Sequence, residues 1–315
     1  MKIAVVDDYH KIARSMADWS AIESDHEVTF FHDPLGPPQD VIAALKDFDV
    51  ICIMRERTLF DRQTLAGLYN LKFVVTTGMR NGSLDVEALH QRGIPVSGTT
   101  GSTHATPELA WGLILALARH IPIENARMRD GQWITTLGTD LAGSTLGIVG
   151  LGRIGTEMSS IARAFRMNVI AWSTNLDETR AHAAGARSVS KRVLFGESDF
   201  ITIHYKLSDR SRGLVGAEEL ALMKPTAYLV NTSRGGIVET NALIAALQRG
   251  LIAGAGIDVY DNEPLAASHP LRCAPRTVLT PHLGYVTEET YRTFYEQTVE
   301  DIEAWLAGRP KRLLK

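Results

Sequence analysis

The stretch Leu146-Gly147-Ile148-Val149-Gly150-Leu151-Gly152-Arg153-Ile154-Gly155 decides the reading of this chain. Its first four residues form a short apolar run ending in two β-branched side chains. From Arg153 to Phe165 the apolar positions Ile154, Met158, Ile161, Ala162 and Phe165 recur with helical spacing. Strand, glycine turn and helix therefore follow one another directly. Gly150 permits the turn, Gly152 lets a backbone approach a pyrophosphate with no Cβ in the way, and Gly155 allows the helix to pack closely on the strand. The helix N-terminus then offers free N–H groups and a favourable dipole to phosphates. Glycine turns also join strands and helices that bind nothing, but the correct flank on each side favours a dinucleotide site.

The next strand is Val169-Ile170-Ala171-Trp172, and it ends in Ser173-Thr174-Asn175. In dinucleotide folds an acidic residue at this tip grips the ribose 2′-hydroxyl of NAD. None stands here, because Asp177 and Glu178 read as the start of the following helix, where acids suit the dipole. Ser173 and its neighbours would not repel a 2′-phosphate, yet no arginine directly follows Ser173 to clamp one. NAD and NADP both stay open.

Three further strand-like runs each end in a reactive side chain. Ala227 to Asn231 breaks into Thr232-Ser233-Arg234-Gly235-Gly236, Ala253 to Val259 leads to Glu263-Pro264, and Thr277 to Pro281 leads to His282. Ligands bind at the carboxyl ends of strands in open α/β sheets. Taken singly, the arginine, glutamate and histidine read as a surface, a loop and a capping residue. Their joint placement after successive strands points to a reaction centre.

These residues carry a family resemblance. The glycine motif, Leu229 to Val238, Asp258-Val259-Tyr260-Asp261-Asn262-Glu263-Pro264 and Thr280-Pro281-His282-Leu283 resemble the D-isomer-specific 2-hydroxyacid dehydrogenases over nearly the whole chain. The resemblance implies an α/β protein of two doubly wound parallel-sheet domains. A Rossmann nucleotide-binding domain, residues 101–284, would be inserted in a discontinuous flavodoxin-like substrate domain, residues 1–100 and 285–315. It implies an NAD- or NADP-dependent oxidoreductase of small 2-keto and D-2-hydroxy acids of the glyoxylate or hydroxypyruvate type. His282 becomes the acid/base, Glu263 its partner and Arg234 the anchor of the substrate carboxylate. Thr103, Gly150, Gly152, Arg153, Ile154, Gly155, Ser173, His204, Thr232 and Asp258 fall at the cofactor, and Gly78, Met79 and Arg80 join Arg234 at the substrate.

The chemistry can be argued from the residue types. Reducing a 2-keto acid delivers a hydride to the carbonyl carbon and a proton to its oxygen, and histidine exchanges protons near neutrality. A carboxylate beside His282 would favour the imidazolium form and fix the ring. Arg234 offers a planar fork of donors that can hold a carboxylate and polarise the adjacent ketone. A cofactor-sensing regulator of the same fold, without physiological turnover, is the alternative; the complete set of three side chains favours catalysis. Formate or phosphite oxidation fits less well, since it needs no such acid.

Some residues depart from the family pattern. Lys206 stands where proline is usual, close to the expected cofactor, and suits either a phosphate contact or a solvent-facing position, the second slightly favoured. Thr76 to Asp85 is longer than the family loop that offers backbone N–H groups to the substrate carboxylate, and it holds Arg80. That arginine suits a second anionic group on the substrate or a structural pair with Asp85. Asp7-Asp8 reads as a surface or capping pair, and His104 with Thr106 and Glu108 as a capping arrangement. No histidine and cysteine cluster has metal-ligand spacing.

Around this centre, strands at Lys2–Val6, Val50–Ile53, Phe73–Val75 and Pro95–Val96 alternate with helical stretches near Val41–Leu45, Thr64–Leu68 and Val86–His90. Two longer helices are expected, Pro107–Ala118 and Val286–Ala307, the second with Tyr291, Phe294, Tyr295, Thr298, Ile302, Trp305 and Leu306 on one face. The resemblance implies a homodimer through 119–142, where Trp133, Ile134 and Leu137 stand among polar residues; a flap folded on its own domain is the alternative. A formal net charge of −3 spread over 315 residues gives no basic footprint for nucleic acid. Two distant cysteines, no leader-like start and no membrane-length apolar run lead to the expectation of a cytoplasmic protein without a membrane partner. The chain ends soon after Trp305, so no C-terminal regulatory domain is expected.

Overall fold

A computed structural model describes all 315 residues. The chain divides into two compact units, Met1–Ser102 with Val286–Lys315, and Thr103–Tyr285.

In the first unit, β1 (Lys2–Val5), β2 (Glu27–Phe30), β3 (Val50–Ile53), β4 (Phe73–Thr76) and β5 (Val96–Gly98) form a parallel sheet in the order β2-β1-β3-β4-β5. This is the flavodoxin-like order. Every residue of β3 and β4 is buried, as expected of strands covered on both faces. β2 was not foreseen, because an edge strand that is only half-buried carries no continuous apolar run. The helix Glu288–Leu306 buries Tyr291, Phe294, Tyr295, Thr298 and Ile302, and Trp305 stacks on Phe73 with centroids 4.8 Å apart. Thr287 caps it by accepting the Thr290 N–H at 3.3 Å.

The surface reading of Asp7 and Asp8 is corrected, since they are 0 % and 2 % exposed. Asp8 takes N–H groups of Ile12 and Ala13 where a short helix begins, and Asp7 accepts the Thr58 hydroxyl at 2.9 Å and the Tyr9 hydroxyl at 3.1 Å. Those donors satisfy the carboxylates that burial would otherwise strand.

In the second unit, β6 (Thr145–Val149), β7 (Asn168–Trp172), β8 (Arg187–Ser188), β9 (Phe200–Ile203), β10 (Tyr228–Asn231), β11 (Gly254–Ile257) and β12 (Thr277–Leu279) form a parallel sheet in the order β12-β11-β10-β9-β6-β7-β8. The strand order reverses between β6 and β9, the crevice where doubly wound sheets take nucleotides. Helix Ala105–Ala118 begins two residues before the expected start, buries Trp111, Leu113, Ile114 and Leu117, and packs on β10, β11 and β12. At its start His104 makes no capping bond. Its Nδ1 lies 2.6 Å from Glu157 Oε1 instead, so the expected capping arrangement gives way to an ion pair with the helix Arg153–Ala164. No helix is long and apolar enough to cross a membrane.

Candidate active site

The ends of β10, β11 and β12 bring Arg234, Glu263 and His282 into three neighbouring loops. After β10, the Asn231 side chain accepts the Ser233 N–H at 3.0 Å and donates to the Arg234 carbonyl at 3.0 Å, shaping the arginine turn. Arg234 Nη1 donates to the Ser233 carbonyl at 2.7 Å. A Cβ on Gly235 would fall 2.1 Å from the Tyr260 carbonyl carbon, so only glycine lets this turn lie against the segment leading to Glu263.

Glu263 bridges that segment to the histidine. Oε1 accepts the Tyr260 N–H at 2.8 Å and Oε2 lies 2.6 Å from His282 Nδ1. The bond following it, Glu263–Pro264, is cis. The Tyr260 hydroxyl donates to the carbonyls of Thr280 (2.9 Å) and Ile257 (3.1 Å), and burial pushes its pKa up to about 12, which keeps it a donor.

His282 has φ +57°, a conformation uncommon for a residue with a Cβ. Its ring meets Tyr285 edge-on at 5.5 Å. Asp258, fully buried, holds the surrounding backbone: Oδ1 accepts Thr280 Oγ1 at 2.6 Å and the Leu283 N–H at 2.7 Å, while Oδ2 accepts the Gly284 N–H at 2.9 Å. Burial raises the Asp258 carboxyl above its ordinary range, and these bonds together with His282 work against that rise. Asp258, placed at the cofactor by resemblance, thus also anchors the histidine loop. Asn231, Ser233 and Thr280 escaped the sequence reading; the Asx pattern of Asn231 two residues before Ser233 was the one available signal.

At the switch point, Gly150 has φ +98°, and a Cβ there would lie 2.5 Å from the His204 carbonyl oxygen, so the ends of β6 and β9 abut. A Cβ on Gly155 would lie 2.3 Å from the Gly150 oxygen, whereas one on Gly152 would meet nothing within 4 Å. Arg153 and Ile154 open the helix after this turn, Ser173 is half-buried beyond β7, and Thr103 is exposed. Burial drives the His204 pKa down to about 3, leaving a neutral ring whose Nε2 is 2.8 Å from Thr202 Oγ1. Lys206 is exposed.

In the first unit the Gly78 N–H donates to Thr99 Oγ1 at 2.9 Å, which removes it from the backbone donors expected for a carboxylate. Met79 and Arg80 in the same loop are exposed. Asp85 does not serve Arg80; it caps helix Val86–Gln91 and lies 3.5 Å from Arg62 Nε.

Residues 111–284 match the family described as D-isomer specific 2-hydroxyacid dehydrogenase, NAD binding domain. Glyoxylate reductase of Thermococcus litoralis is 37% identical over 298 residues, covering 91% of this chain and 89% of that protein. D-3-phosphoglycerate dehydrogenase of Synechocystis is 36% identical over 276 residues, 87% of this chain but 50% of its own length. The crystal structure of a phosphoglycerate oxidoreductase from Vibrio cholerae superposes with TM-score 0.92 at 34% identity, over 98% of this chain and 99% of that one.

The chain belongs to the D-isomer specific 2-hydroxyacid dehydrogenases.

As a member, this 2-hydroxyacid dehydrogenase is an NAD(P)-dependent oxidoreductase acting on a small hydroxy acid. Its residues fit the cofactor. The open space over Gly152 leaves room for a pyrophosphate, and His204 Nδ1 and Thr232 Oγ1 are buried polar atoms with no hydrogen-bond partner in the protein. When bound, the nicotinamide donates or accepts the hydride. Everything else in the reaction falls to side chains of the enzyme.

Proposed function

We propose that this dehydrogenase reduces a short 2-keto acid of the glyoxylate or hydroxypyruvate type to its D-2-hydroxy acid, with His282 as acid/base, Glu263 as its partner and Arg234 as the carboxylate anchor. The observation that carries this reading is the 2.6 Å contact between Glu263 Oε2 and His282 Nδ1. With Nδ1 engaged, Nε2 is the atom left to pass a proton to the carbonyl oxygen, and in oxidation the neutral ring takes it back. Arg234, two strands along the sheet after β10, supplies fixed positive charge where the ketone oxygen becomes negative. The similarity to glyoxylate reductases over most of both chains supports the small-substrate class.

The test is steady-state oxidation of NADH and NADPH against glyoxylate, hydroxypyruvate, pyruvate and phenylpyruvate, beside His282→Ala. Turnover in the wild type and its loss in the variant, with cofactor affinity retained, is the expected result. An unaffected His282→Ala enzyme, or no turnover of any 2-keto acid despite cofactor binding, would sink the assignment.

We further propose a homodimer through 119–142. Trp133, Ile134 and Leu137 are 74%, 78% and 91% exposed, and an open cavity of about 600 Å³ is lined by Ile121, Met128, Trp133 and Ile134 together with Arg119, Glu124 and Asn125. Apolar side chains clustered this openly suit a protein interface. Sedimentation of the wild type as a dimer and of Trp133→Glu with Leu137→Glu as a monomer is expected; a monomeric wild type removes the proposal.

A further inference from the structure

β7 ends in Ser173-Thr174-Asn175 without a carboxylate at its tip. The nearest acid, Asp177, is engaged elsewhere: Oδ1 accepts the Arg180 N–H at 2.7 Å as the N-cap of helix Glu178–Ala183. A ribose diol would therefore meet hydroxyl and amide groups where a carboxylate ordinarily accepts its protons.

Positive charge lies close to the same tip. Arg180 Nη1 donates to the Asn175 carbonyl at 3.2 Å, which holds a guanidinium beside the loop with further N–H groups to offer. Tyr205 stacks on Trp172 at 5.9 Å with ring planes 14° apart, and its hydroxyl lies 2.7 Å from Thr174 Oγ1. Burial acts to raise the Tyr205 pKa, yet hydrogen bonds with Thr174 and Ser173 and the charge of Arg210 bring it below its ordinary value.

We propose that the ribose end of this site selects NADP(H) over NAD(H), the 2′-phosphate lying against Ser173, Thr174 and Asn175 with Arg180 supplying positive charge. The proposal rests on the hydride-transfer reading above and sharpens its cofactor. Hydroxyl and amide donors match phosphate oxygens, and guanidinium groups pair with a phosphate dianion through charge-assisted hydrogen bonds. NAD(H) offers Arg180 no anion at this position.

Calorimetric titration of the whole enzyme with NADPH, NADH, 2′,5′-ADP and 5′-AMP tests it without relying on turnover. NADPH should bind at least tenfold tighter than NADH, and 2′,5′-ADP tighter than 5′-AMP, with both gaps narrowing as salt rises. Arg180→Ala should weaken NADPH about tenfold and leave NADH unchanged, so the NADH titration doubles as a folding control. Ser173→Asp should reverse the preference. NADH binding as tight as NADPH, or an Arg180→Ala variant that weakens both cofactors alike, would overturn the proposal. Turnover of glyoxylate with NADH in that event leaves the hydride-transfer reading standing, so the two fail separately.

Discussion

The backbone N–H of His282 donates to the carbonyl of Asp258 at 2.8 Å, so the loop after β12 hangs from the end of β11. The Asp258 carboxylate adds bonds to Thr280, Leu283 and Gly284 around the same histidine. The acid/base candidate is therefore positioned by a buried aspartate and oriented by Glu263.

Asp258→Asn replaces an acceptor-only group by one that must present N–H to some of these donors. Misplacement of the ring by a fraction of an ångström is expected to lower kcat by about 10–100-fold, and mispaired buried groups should cost about 1–3 kcal/mol. Steady-state kinetics and denaturant unfolding check the two effects, and a variant with full kcat would remove the positioning role.

Glu263→Gln keeps the contact with His282 but removes the negative charge. Reduction should slow by about 10²-fold, within the range general acid–base catalysis contributes, with the KM for NADPH unchanged. Reduction at the wild-type rate in Glu263→Gln counts against the pairing.

Two glycines should respond in opposite ways. Gly235→Ala places a Cβ 2.1 Å from the Tyr260 backbone, so the chain must move, and a loss of about 1–3 kcal/mol is expected. Gly152→Ala meets nothing within 4 Å; stability should stay within about 0.5 kcal/mol of the wild type while cofactor affinity falls. Thermal unfolding without cofactor, followed by titration, separates them.

Asp301 supplies a pH dependence with a defined sign. Burial outweighs the Arg312 ion pair and raises its pKa from 3.8 to about 6, so the native state binds the proton more tightly than the unfolded chain. Its contribution to stability is present in full below about pH 3.8 and is lost as pH rises through about 6, by a total on the order of 3 kcal/mol. The stability difference between wild type and Asp301→Asn, measured by urea unfolding from pH 4 to 7, should therefore change over that interval; a constant difference contradicts it.

Much of this was legible in the residues. The β6 run, its glycine turn and the following helix are local, and their periodicities survive folding because the sheet is buried on both faces. β2 was hidden by its half-exposed edge position, and β8, Arg187–Ser188, is too short to carry a pattern. The carboxyl-end side chains Arg234, Glu263 and His282 could be picked out by chemistry. Their supports could not: Asp258 meets Thr280 and Gly284 across 22 and 26 residues, and Glu157 reaches His104 across 53. Such pairings depend on strand order, which no local signal states. The commitment of Asp177 to its helix and of the Gly78 N–H to Thr99 likewise emerges only from three-dimensional hydrogen bonding.

The parallel register of β10, β11 and β12 acts as a ruler. Adjacent strands lie about 4.8 Å apart, so the backbone ladder alone sets the lateral spacing from the arginine turn to the histidine loop. Arg234 and Glu263 belong to separate crossovers, with helix Thr240–Gln248 between them, and His282 follows the last strand of the sheet. A crossover can therefore lengthen or change its outer surface without altering that spacing, and substrate preference can drift while the proton-transfer geometry stays in place.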